Sequence, residues 1–242
     1  MHILVISDIH ANLAAFEAVL EDAQGQWDRI WCLGDVVGYG PDPNECTSLL
    51  REHDHISLSG NHDWAVLGRL DIDTFNYQAQ TAIRWTQATI TEETRKYLDS
   101  LPPKMVVEPF TLAHASPRQP VWEYILDEKT AAVNFGHLET PYCLVGHTHM
   151  PVVYEEVDET HIQGRGPSYG EPLALNGPRL IINPGSVGQP RDSDPRAAYG
   201  LLDTEAMTWE HRRVAYPIEV TQERMREQRL PYRLVARLGM GW

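Results

Sequence analysis

The sequence predicts an α/β protein in which helices pack on the faces of a sheet. In the first third of the chain, short apolar runs alternate with segments whose apolar residues recur at helical spacing. From Met105 onward, runs typical of β-strands dominate. Alternating strands and helices are typical of a sheet covered by helices. The composition is that of a folded protein, since 42% of the 242 residues are hydrophobic and 22% are charged.

Three strands, each followed by a helix, are expected in the first third. The strands are predicted at Ile3–Ser7, Arg29–Leu33 and His55–Ser59, and the helices at Asn12–Ala23, Asn44–Glu52 and Trp64–Leu70. Asn12 is suited to cap the first helix, because its side chain can accept from backbone N–H groups there. Residues 64–104 are interpreted as a helical insertion, which ends at Leu101-Pro102-Pro103 because a residue before proline is disfavoured in a helix.

The second half is predicted to be mainly sheet, with one helix near Lys129–Phe135. Its strands are expected at Phe110–His114, Tyr142–Val145, Val152–Val157, Leu180–Ile182, Tyr199–Leu202 and Thr208–Val214. Glycine and proline are frequent between Gln163 and Pro178, which predicts a surface loop. Since no linker divides the chain, we expect a single domain over residues 1–242.

The chain is acidic overall, with a formal net charge of −14. A surface of this charge repels polyphosphates, which argues against a nucleic-acid groove. Residues 211–242 are the exception, because seven Arg and three acidic residues give them +4 and leave −18 for the rest. The tail near 217–239 also carries apolar residues that predict amphipathic helices broken at Pro231. We expect these helices to dock on the body of the protein or on a second subunit of a homo-oligomer.

The cysteines and the N-terminus indicate the compartment. Cys32, Cys46 and Cys143 form no C-x-x-C motif and are predicted to be reduced, mostly buried thiols. The chain opens with a short apolar run that no basic segment precedes, and no stretch approaches the roughly 18 apolar residues of a membrane span. We therefore expect a cytoplasmic protein without a signal peptide or a membrane partner.

Polar side chains follow five of the predicted strands, at the point where each strand ends. They are Asp8 and His10, Gly34-Asp35, Gly60-Asn61-His62-Asp63, His114, and Gly146-His147-Thr148-His149. Ligand sites in open α/β sheets lie at the carboxyl ends of strands. Residues i and i+2 of an extended backbone point to the same side, so we expect Asp8 to lie beside His10 and His147 beside His149.

The mixture of ligands favours a transition metal. Carboxylate, imidazole and amide oxygen together suit Mn, Fe, Zn or Ni better than a thiolate site or an all-oxygen calcium site. Seven ligands are too many for one ion with open positions, and they suit two divalent ions that share Asp35.

These five motifs, in this order, resemble the calcineurin-like metallophosphoesterase superfamily. The segment Asn183–Gly188 is similar to one in its compact prokaryotic phosphoesterase branch. The resemblance implies a four-layer α/β-β-α sandwich with two mixed sheets and two metal ions at its edge. It implies metal ligation by Asp8, His10 and His149 at one ion, by Asn61, His114 and His147 at the other, and by Asp35 at both.

The resemblance also implies roles beside the metals. His62 is placed near the leaving group, with Asp63 orienting its imidazole. Arg191 and Asn61 are candidates for contacting substrate, and Arg118 and Arg165 are further candidates, with a plain surface position as the alternative for each arginine.

The function expected from these residues is hydrolysis of a phosphomonoester or phosphodiester. Two cations activate water for in-line attack on phosphorus, while His62 donates a proton or a hydrogen bond to the departing alkoxide. The substrate is expected to be a small phosphorylated molecule, with nucleotides among the candidates, in a pocket shaped by residues 64–104 and 159–178. Two alternatives stay open: a catalytically weak metal-binding scaffold of the same fold, and a nuclease, which the acidic charge disfavours.

Overall fold

The computed structural model describes residues 1–158 and 161–242, and within these ranges the chain forms two six-stranded sheets. The first sheet contains β1 (His2–Ile6), β2 (Arg29–Cys32), β3 (His55–Ser57), β9 (Leu173–Ala174), β11 (Ala197–Asp203) and β12 (Thr208–Val214). The second contains β4 (Lys104–Val107), β5 (Phe110–Ala113), β6 (Tyr142–Leu144), β7 (Val152–Asp158), β8 (His161–Arg165) and β10 (Leu180–Asn183).

The helices lie close to their predicted positions. They are α1 (Leu13–Asp22), α2 (Pro43–Arg51), α3 (Asn61–Val66), α4 (Tyr77–Thr89), α5 (Glu92–Asp99), α6 (Glu128–Phe135), α7 (Ile218–Glu227) and α8 (Tyr232–Leu238). Asn12 caps α1 as predicted, because its side chain accepts from the backbone N–H of Ala15 at 3.3 Å. Helix α3 begins three residues before the predicted Trp64, so it carries Asn61 and His62 on its first turn.

Both sheets are mixed, as predicted. In the first, β3, β2 and β1 are parallel, and β11, β12 and β9 continue the sheet in antiparallel pairs beyond β1. In the second, β5, β6 and β10 are parallel, whereas β4, β7 and β8 pair antiparallel at the two sides. Of these six parallel strands, all but β10 are followed by candidate ligands.

The two sheets stack face to face with helices on their outer faces, which makes the expected four layers. Successive side chains of β1 point to opposite faces of the first sheet, and Leu4 and Ile6 pack with the apolar side chains of α1. Ile3 and Val5 point the other way and pack between the sheets against residues of the second sheet. On the far side, Ile181 of β10 packs with the apolar residues of α6.

The predicted surface loop at Gln163–Pro178 is partly wrong, because it contains the last residues of β8 and the whole of β9. β8 pairs with β7, and β9 pairs with β12. Partner strands distant in sequence supply these hydrogen bonds, so local composition could not reveal them. Residues 159 and 160, which belong to the segment expected to shape the pocket, lie outside the described residues.

The tail forms two helices separated at Pro231, as its apolar pattern predicts. Met225 and Leu230, followed by Leu234, Val235 and Leu238, are buried against the body of the protein, in a cluster with residues of α4. Docking on the body was one of the two expected uses of the tail. Among the described residues, no helix is both long and apolar enough to cross a membrane.

Candidate metal centre

The candidate ligands converge at the carboxyl ends of the parallel strands. Asp8 and His10 follow β1, Asp35 follows β2, Asn61 opens α3 after β3, and His114 follows β5. The loop after β6 supplies the remaining two, His147 and His149. All seven side chains are at most 3% exposed, so their polar groups depend on one another, on the backbone or on a bound ion.

The backbone at these ligands is left-handed rather than extended. The φ angles are positive at five of them: 53° at Asp8, 47° at His10, 52° at Asp35, 65° at His147 and 61° at His149. Non-glycine residues rarely adopt this region, and it is concentrated at functional sites. The expected extended i, i+2 geometry is therefore wrong, and tight left-handed turns aim these side chains instead.

Two glycines allow the loops to approach each other closely. A Cβ atom at Gly34, whose φ is 102°, would lie 2.8 Å from Nδ1 of His114. One at Gly60 would lie 2.0 Å from Oδ1 of Asp35. Glycine is needed at both positions because any larger residue would displace a candidate ligand.

The first group of candidate ligands is Asp8, His10 and His149, whose ligand atoms all lie within 4.8 Å of one another. Oδ1 of Asp8 is 3.4 Å from Nε2 of His149 and 3.9 Å from Nε2 of His10. His149 thus lies with Asp8 and His10 rather than with His147, which contradicts the expected placement of His147 beside His149 from their spacing.

Hydrogen bonds fix the tautomers of the two histidines in this group. His10 Nδ1 is 3.2 Å from the carbonyl of Val37, and His149 Nδ1 is 2.6 Å from the carbonyl of Gln189. A carbonyl oxygen only accepts, so both Nδ1 atoms carry the proton and both Nε2 atoms present a lone pair. Those two Nε2 atoms face each other at 3.1 Å, with Asp8 beside them. A cation bound between them would accept both lone pairs and remove their repulsion.

The second group is Asp35, His114 and His147, whose ligand atoms also lie within 4.8 Å of one another. His114 donates from Nδ1 to the carbonyl of Leu33 at 2.9 Å, so its Nε2 is the atom that is free to bind a metal when the imidazole is neutral. Nε2 of His114 is 3.2 Å from Oδ1 of Asn61. This contact brings Asn61 into the group. When His114 is neutral both atoms are acceptors, and the pair then calls for a cation.

Asp35 lies between the two groups. Its Oδ2 is 3.6 Å from Nε2 of His10 and 3.4 Å from Nε2 of His114. Oδ1 of Asp35 accepts from the backbone N–H of His62 at 2.8 Å. Oδ2 of Asp35 and Nε2 of His147 are buried, and neither has a hydrogen-bond partner within the described ranges. Unpartnered buried atoms of this kind fit two divalent ions that share Asp35.

Burial and charge set the protonation of the ligands. Burial lowers the pKa of His10, His147 and His149 well below the usual value, which keeps these imidazoles neutral. Burial also opposes the charged form of His114, but the neighbouring Asp35 carboxylate raises its pKa to about 9. Ligation requires a neutral imidazole, so metal binding at His114 displaces a proton.

His62 lies beside the two groups without belonging to either. Its ring centroid is 4.9 Å from that of His10 and 4.2 Å from that of Tyr39. Its side chain is 3% exposed, and Nδ1 has no hydrogen-bond partner in the described part of the chain. Burial lowers the pKa of His62 to about 4, partly opposed by the Asp35 carboxylate. The imidazole is therefore neutral, with a free ring nitrogen beside the centre.

The expected contact between Asp63 and the His62 imidazole is wrong. The Asp63 carboxylate instead accepts from the backbone N–H groups of Asp35, Val37 and Gly60 at 2.9, 3.1 and 2.8 Å. These bonds join the loop after β2 to the start of α3. Asp63 is a positioning residue, because it aligns the backbone that carries Asp35 with the helix turn that carries Asn61 and His62.

Of the three candidate arginines, Arg191 lies at the centre. Its Nη2 is 3.1 Å from Oε1 of Gln189, and its guanidinium carbon is 5.9 Å from the ring centroid of Tyr39. Its Nε is buried with no partner among the described residues. Arg118 instead pairs with Glu123, and Arg165 with Glu155, on the surface. A free guanidinium nitrogen suits an anion such as phosphate.

Asn183 and two tyrosines also lie around the centre. The sequence is compatible with Asn183 as a strand end or as a support for the loop beside the metals, and it is both. It ends β10 and donates to the carbonyl of Gly146 at 2.8 Å and to Oγ1 of Thr148 at 3.0 Å. The rings of Tyr39 and Tyr124 were not anticipated, and Tyr124 stacks on His147 at 3.9 Å between centroids. For Tyr124, the available sequence signal was the alternation of aromatic residues in Trp122-Glu123-Tyr124, downstream of His114.

A family model matches most of the chain. Its description is "Calcineurin-like phosphoesterase superfamily domain", and it matches residues 1–207. The match covers every candidate ligand and every strand of both sheets except β12.

Three relatives extend the similarity over the chain. The crystal structure of a metallophosphoesterase from Sphaerobacter thermophilus has a TM-score of 0.92 and 49% identity, and the match covers 100% of this chain and 99% of that one. An uncharacterized protein of Methanocaldococcus jannaschii is 40% identical over 99% of this chain and 98% of its own length. Phosphodiesterase YfcE of Escherichia coli is 26% identical over 86% of this chain and 90% of its own length.

Proposed function

Because the chain belongs to the calcineurin-like phosphoesterase superfamily, we propose that it hydrolyses a small phosphate ester at a centre of two divalent metal ions. The observation that carries the proposal is the pair of ligand groups with Asp35 between them, in one of which the unprotonated Nε2 atoms of His10 and His149 face each other. A phosphodiesterase and a metallophosphoesterase among the relatives agree with this chemistry.

Seven side chains are proposed to hold the ions. Asp8, His10 and His149 take one ion, and Asn61, His114 and His147 take the other, with Asp35 shared. When bound, such a pair of ions activates water for attack on phosphorus and stabilises the charge of the phosphoryl oxygens. Imidazole and carboxylate ligands accept Mn, Fe, Ni or Zn, and these are the proposed metals.

The protein's own residues handle the substrate around the ions. Arg191 is proposed to bind a phosphoryl oxygen through its Nε, which has no partner among the described residues. The amide of Asn61 is proposed to contact the substrate as well. His62, whose ring lies 4.9 Å from that of His10, is proposed to donate a proton or a hydrogen bond to the departing alkoxide oxygen. Burial of the whole centre keeps bulk water away from these polar contacts.

The test is hydrolysis of p-nitrophenyl phosphate and bis-p-nitrophenyl phosphate by protein stripped with a chelator and reloaded with Mn, Ni, Zn or Mg. We expect metal-dependent release of p-nitrophenol from at least one ester. The two substrates separate monoester from diester hydrolysis, and the series of metals ranks the ions that support turnover.

Asp35→Asn is the matched variant for this test, since it removes the shared charge with little change in shape. We expect it to lose turnover with every metal. Metal binding without turnover of either ester, in the parent protein, supports the alternative of a metal-binding scaffold with the same fold.

A further inference from the structure

Aromatic rings surround the candidate centre on two sides. On one side, the ring of Tyr124 stacks on His147 with centroids 3.9 Å apart and planes at 25°. On the other, the ring of Phe75 lies 5.3 Å from that of His62, and Trp122 packs on Phe75 at 5.2 Å. Trp122 and Tyr124 are nevertheless 39% and 45% exposed. Large apolar rings left open to solvent beside a polar centre are typical of a ligand-binding site.

The segment that carries two of these rings is held in place from behind. Glu123 lies between Trp122 and Tyr124 in sequence, and its carboxylate accepts from Oγ of Ser116 at 2.7 Å and from Nδ2 of Asn134 at 2.9 Å. Its ion pair with Arg118 adds a third partner. The anchored Glu123 fixes the backbone between the two rings, of which Tyr124 contacts His147 and Trp122 contacts Phe75, and this limits their movement before a ligand binds.

We propose that Phe75, Trp122 and Tyr124 form an aromatic clamp that selects phosphate esters carrying a planar aromatic group, such as a nucleobase. This inference rests on the proposed function, because it assigns the organic part of the substrate of the same centre. A planar ring stacks on tyrosine or tryptophan without directional hydrogen bonds, which matches a surface made of rings.

The clamp lies next to the groups that are proposed to contact the leaving oxygen and the phosphate of such a substrate. Phe75 touches His62, which is the group proposed to face the leaving oxygen. Tyr124 covers His147 of the second ligand group and lies near Arg191, which is proposed to bind the phosphate. The phosphate-binding groups and the clamp are therefore adjacent, and one ester can contact both.

The test compares adenosine 5′-monophosphate with ribose 5-phosphate as inhibitors of bis-p-nitrophenyl phosphate hydrolysis by the metal-loaded protein. The two ligands share the phosphate and the sugar and differ in the base. We expect the adenine compound to bind about fivefold to a hundredfold more tightly, the range for one base stacked on an aromatic side chain. If the protein hydrolyses neither chromogenic ester, calorimetric titration with the same two ligands gives the ratio without turnover.

The variants assign the preference to the clamp. In Trp122→Ala/Tyr124→Ala the ratio of the two inhibition constants should fall to within about twofold of one, while ribose 5-phosphate binds as before. Glu123→Ala keeps both rings but frees their segment, so the ratio should fall there too. Tyr232→Ala, which removes an exposed ring on α8, is the control and should keep the parent ratio.

Two results overturn the clamp. One is a parent protein that binds both ligands equally or binds neither, and the other is an adenine preference that survives in the double variant. Hydrolysis of the chromogenic esters without an adenine preference rejects the clamp and leaves the phosphoesterase proposal standing. An adenine preference without hydrolysis supports the clamp and counts against the phosphoesterase proposal.

Discussion

Nε2 of His10 and Nε2 of His149 face each other at 3.1 Å, although both rings donate from Nδ1 to backbone carbonyls. Neither Nε2 carries a proton, so two lone pairs oppose each other in a buried site. Asp8 adds a carboxylate oxygen 3.4 Å from His149. The fold therefore brings together groups that repel one another until a cation binds, and this links metal binding to the stability of the protein.

Metal removal should lower the thermal stability of the protein. An ion at about a hundred times its Kd stabilises by about 2.7 kcal/mol, which corresponds to about 5–10 °C in Tm for a chain of this size. Calorimetric melting with manganese and with a chelator measures the difference. His149→Asn keeps a donor for the Gln189 carbonyl but loses the Nε2 ligand, so most of the stabilisation should disappear.

His137→Asn is the control for this melting experiment, because His137 is exposed and lies outside both ligand groups. It should retain the full increase in Tm on adding manganese. An equal increase in His149→Asn and in the parent protein would show that the ion does not bind at the first group.

Asp63→Asn should reduce both stability and metal content. The asparagine side chain turns a donor toward one of the backbone N–H groups that Asp63 now accepts from, at Asp35, Val37 or Gly60. A buried donor left unsatisfied costs about 1–3 kcal/mol, so the free energy of unfolding in urea should fall by at least that amount. Elemental analysis should find less than the parent amount of metal, since Asp35 and Asn61 lose their alignment.

Asp203→Asn is the matched control, because Asp203 also accepts from backbone N–H groups but in an exposed turn. It should leave the metal content unchanged. If Asp63→Asn keeps its stability and its metal and loses only kcat, then Asp63 acts on the His62 ring after all.

His62→Ala should lower kcat by roughly 10²–10⁴ and leave the metal content near that of the parent protein. The reason is geometric, since His62 lies next to His10 but belongs to neither group of ligands. Steady-state kinetics and elemental analysis on the same preparation decide the role. Loss of both ions in this variant would make His62 a ligand.

The fold was predictable because its central strands are short apolar runs that can be recognised in the sequence. β1 and β2 lie within one residue of their predicted bounds. β8 and β9 were not predicted, because their segment is rich in glycine and proline and its strand character comes from pairing with β7 and β12.

The candidate ligands could be named from motifs, but the geometry that aims them could not. The turn at Asp8 and His10 depends on hydrogen bonds from their backbone N–H groups to the carbonyls of Gly34 and Asp35 in another loop. The role of Asp63 was missed for the same reason, since its partners are backbone groups of distant segments. Motif spacing records which side chains occur, whereas long-range backbone contacts decide where they point.

Outside the metal centre, His211 is a buried histidine held neutral by its partners. The indole N–H of Trp209 can only donate, and it lies 2.9 Å from Nδ1 of His211. Nδ1 is thus the acceptor, and Nε2 carries the proton and donates to the carbonyl of Asn183 at 2.9 Å. Protonation of Nδ1 would make two donors face each other, the N–H of His211 and the indole N–H of Trp209. Burial lowers the pKa of His211 to about 4.

The stability of the protein should therefore fall on acidification between the unfolded pKa of about 6.5 and the folded pKa of about 4. In this pH range His211 is protonated in the unfolded chain but stays neutral in the folded protein, so unfolding is favoured as the pH falls. From about pH 7 to about pH 5 the loss from this residue is about 2 kcal/mol. Urea unfolding with chelator present should show a smaller loss in His211→Gln, since other groups titrate equally in both proteins. Equal losses in the two would mean that His211 is not the group that titrates.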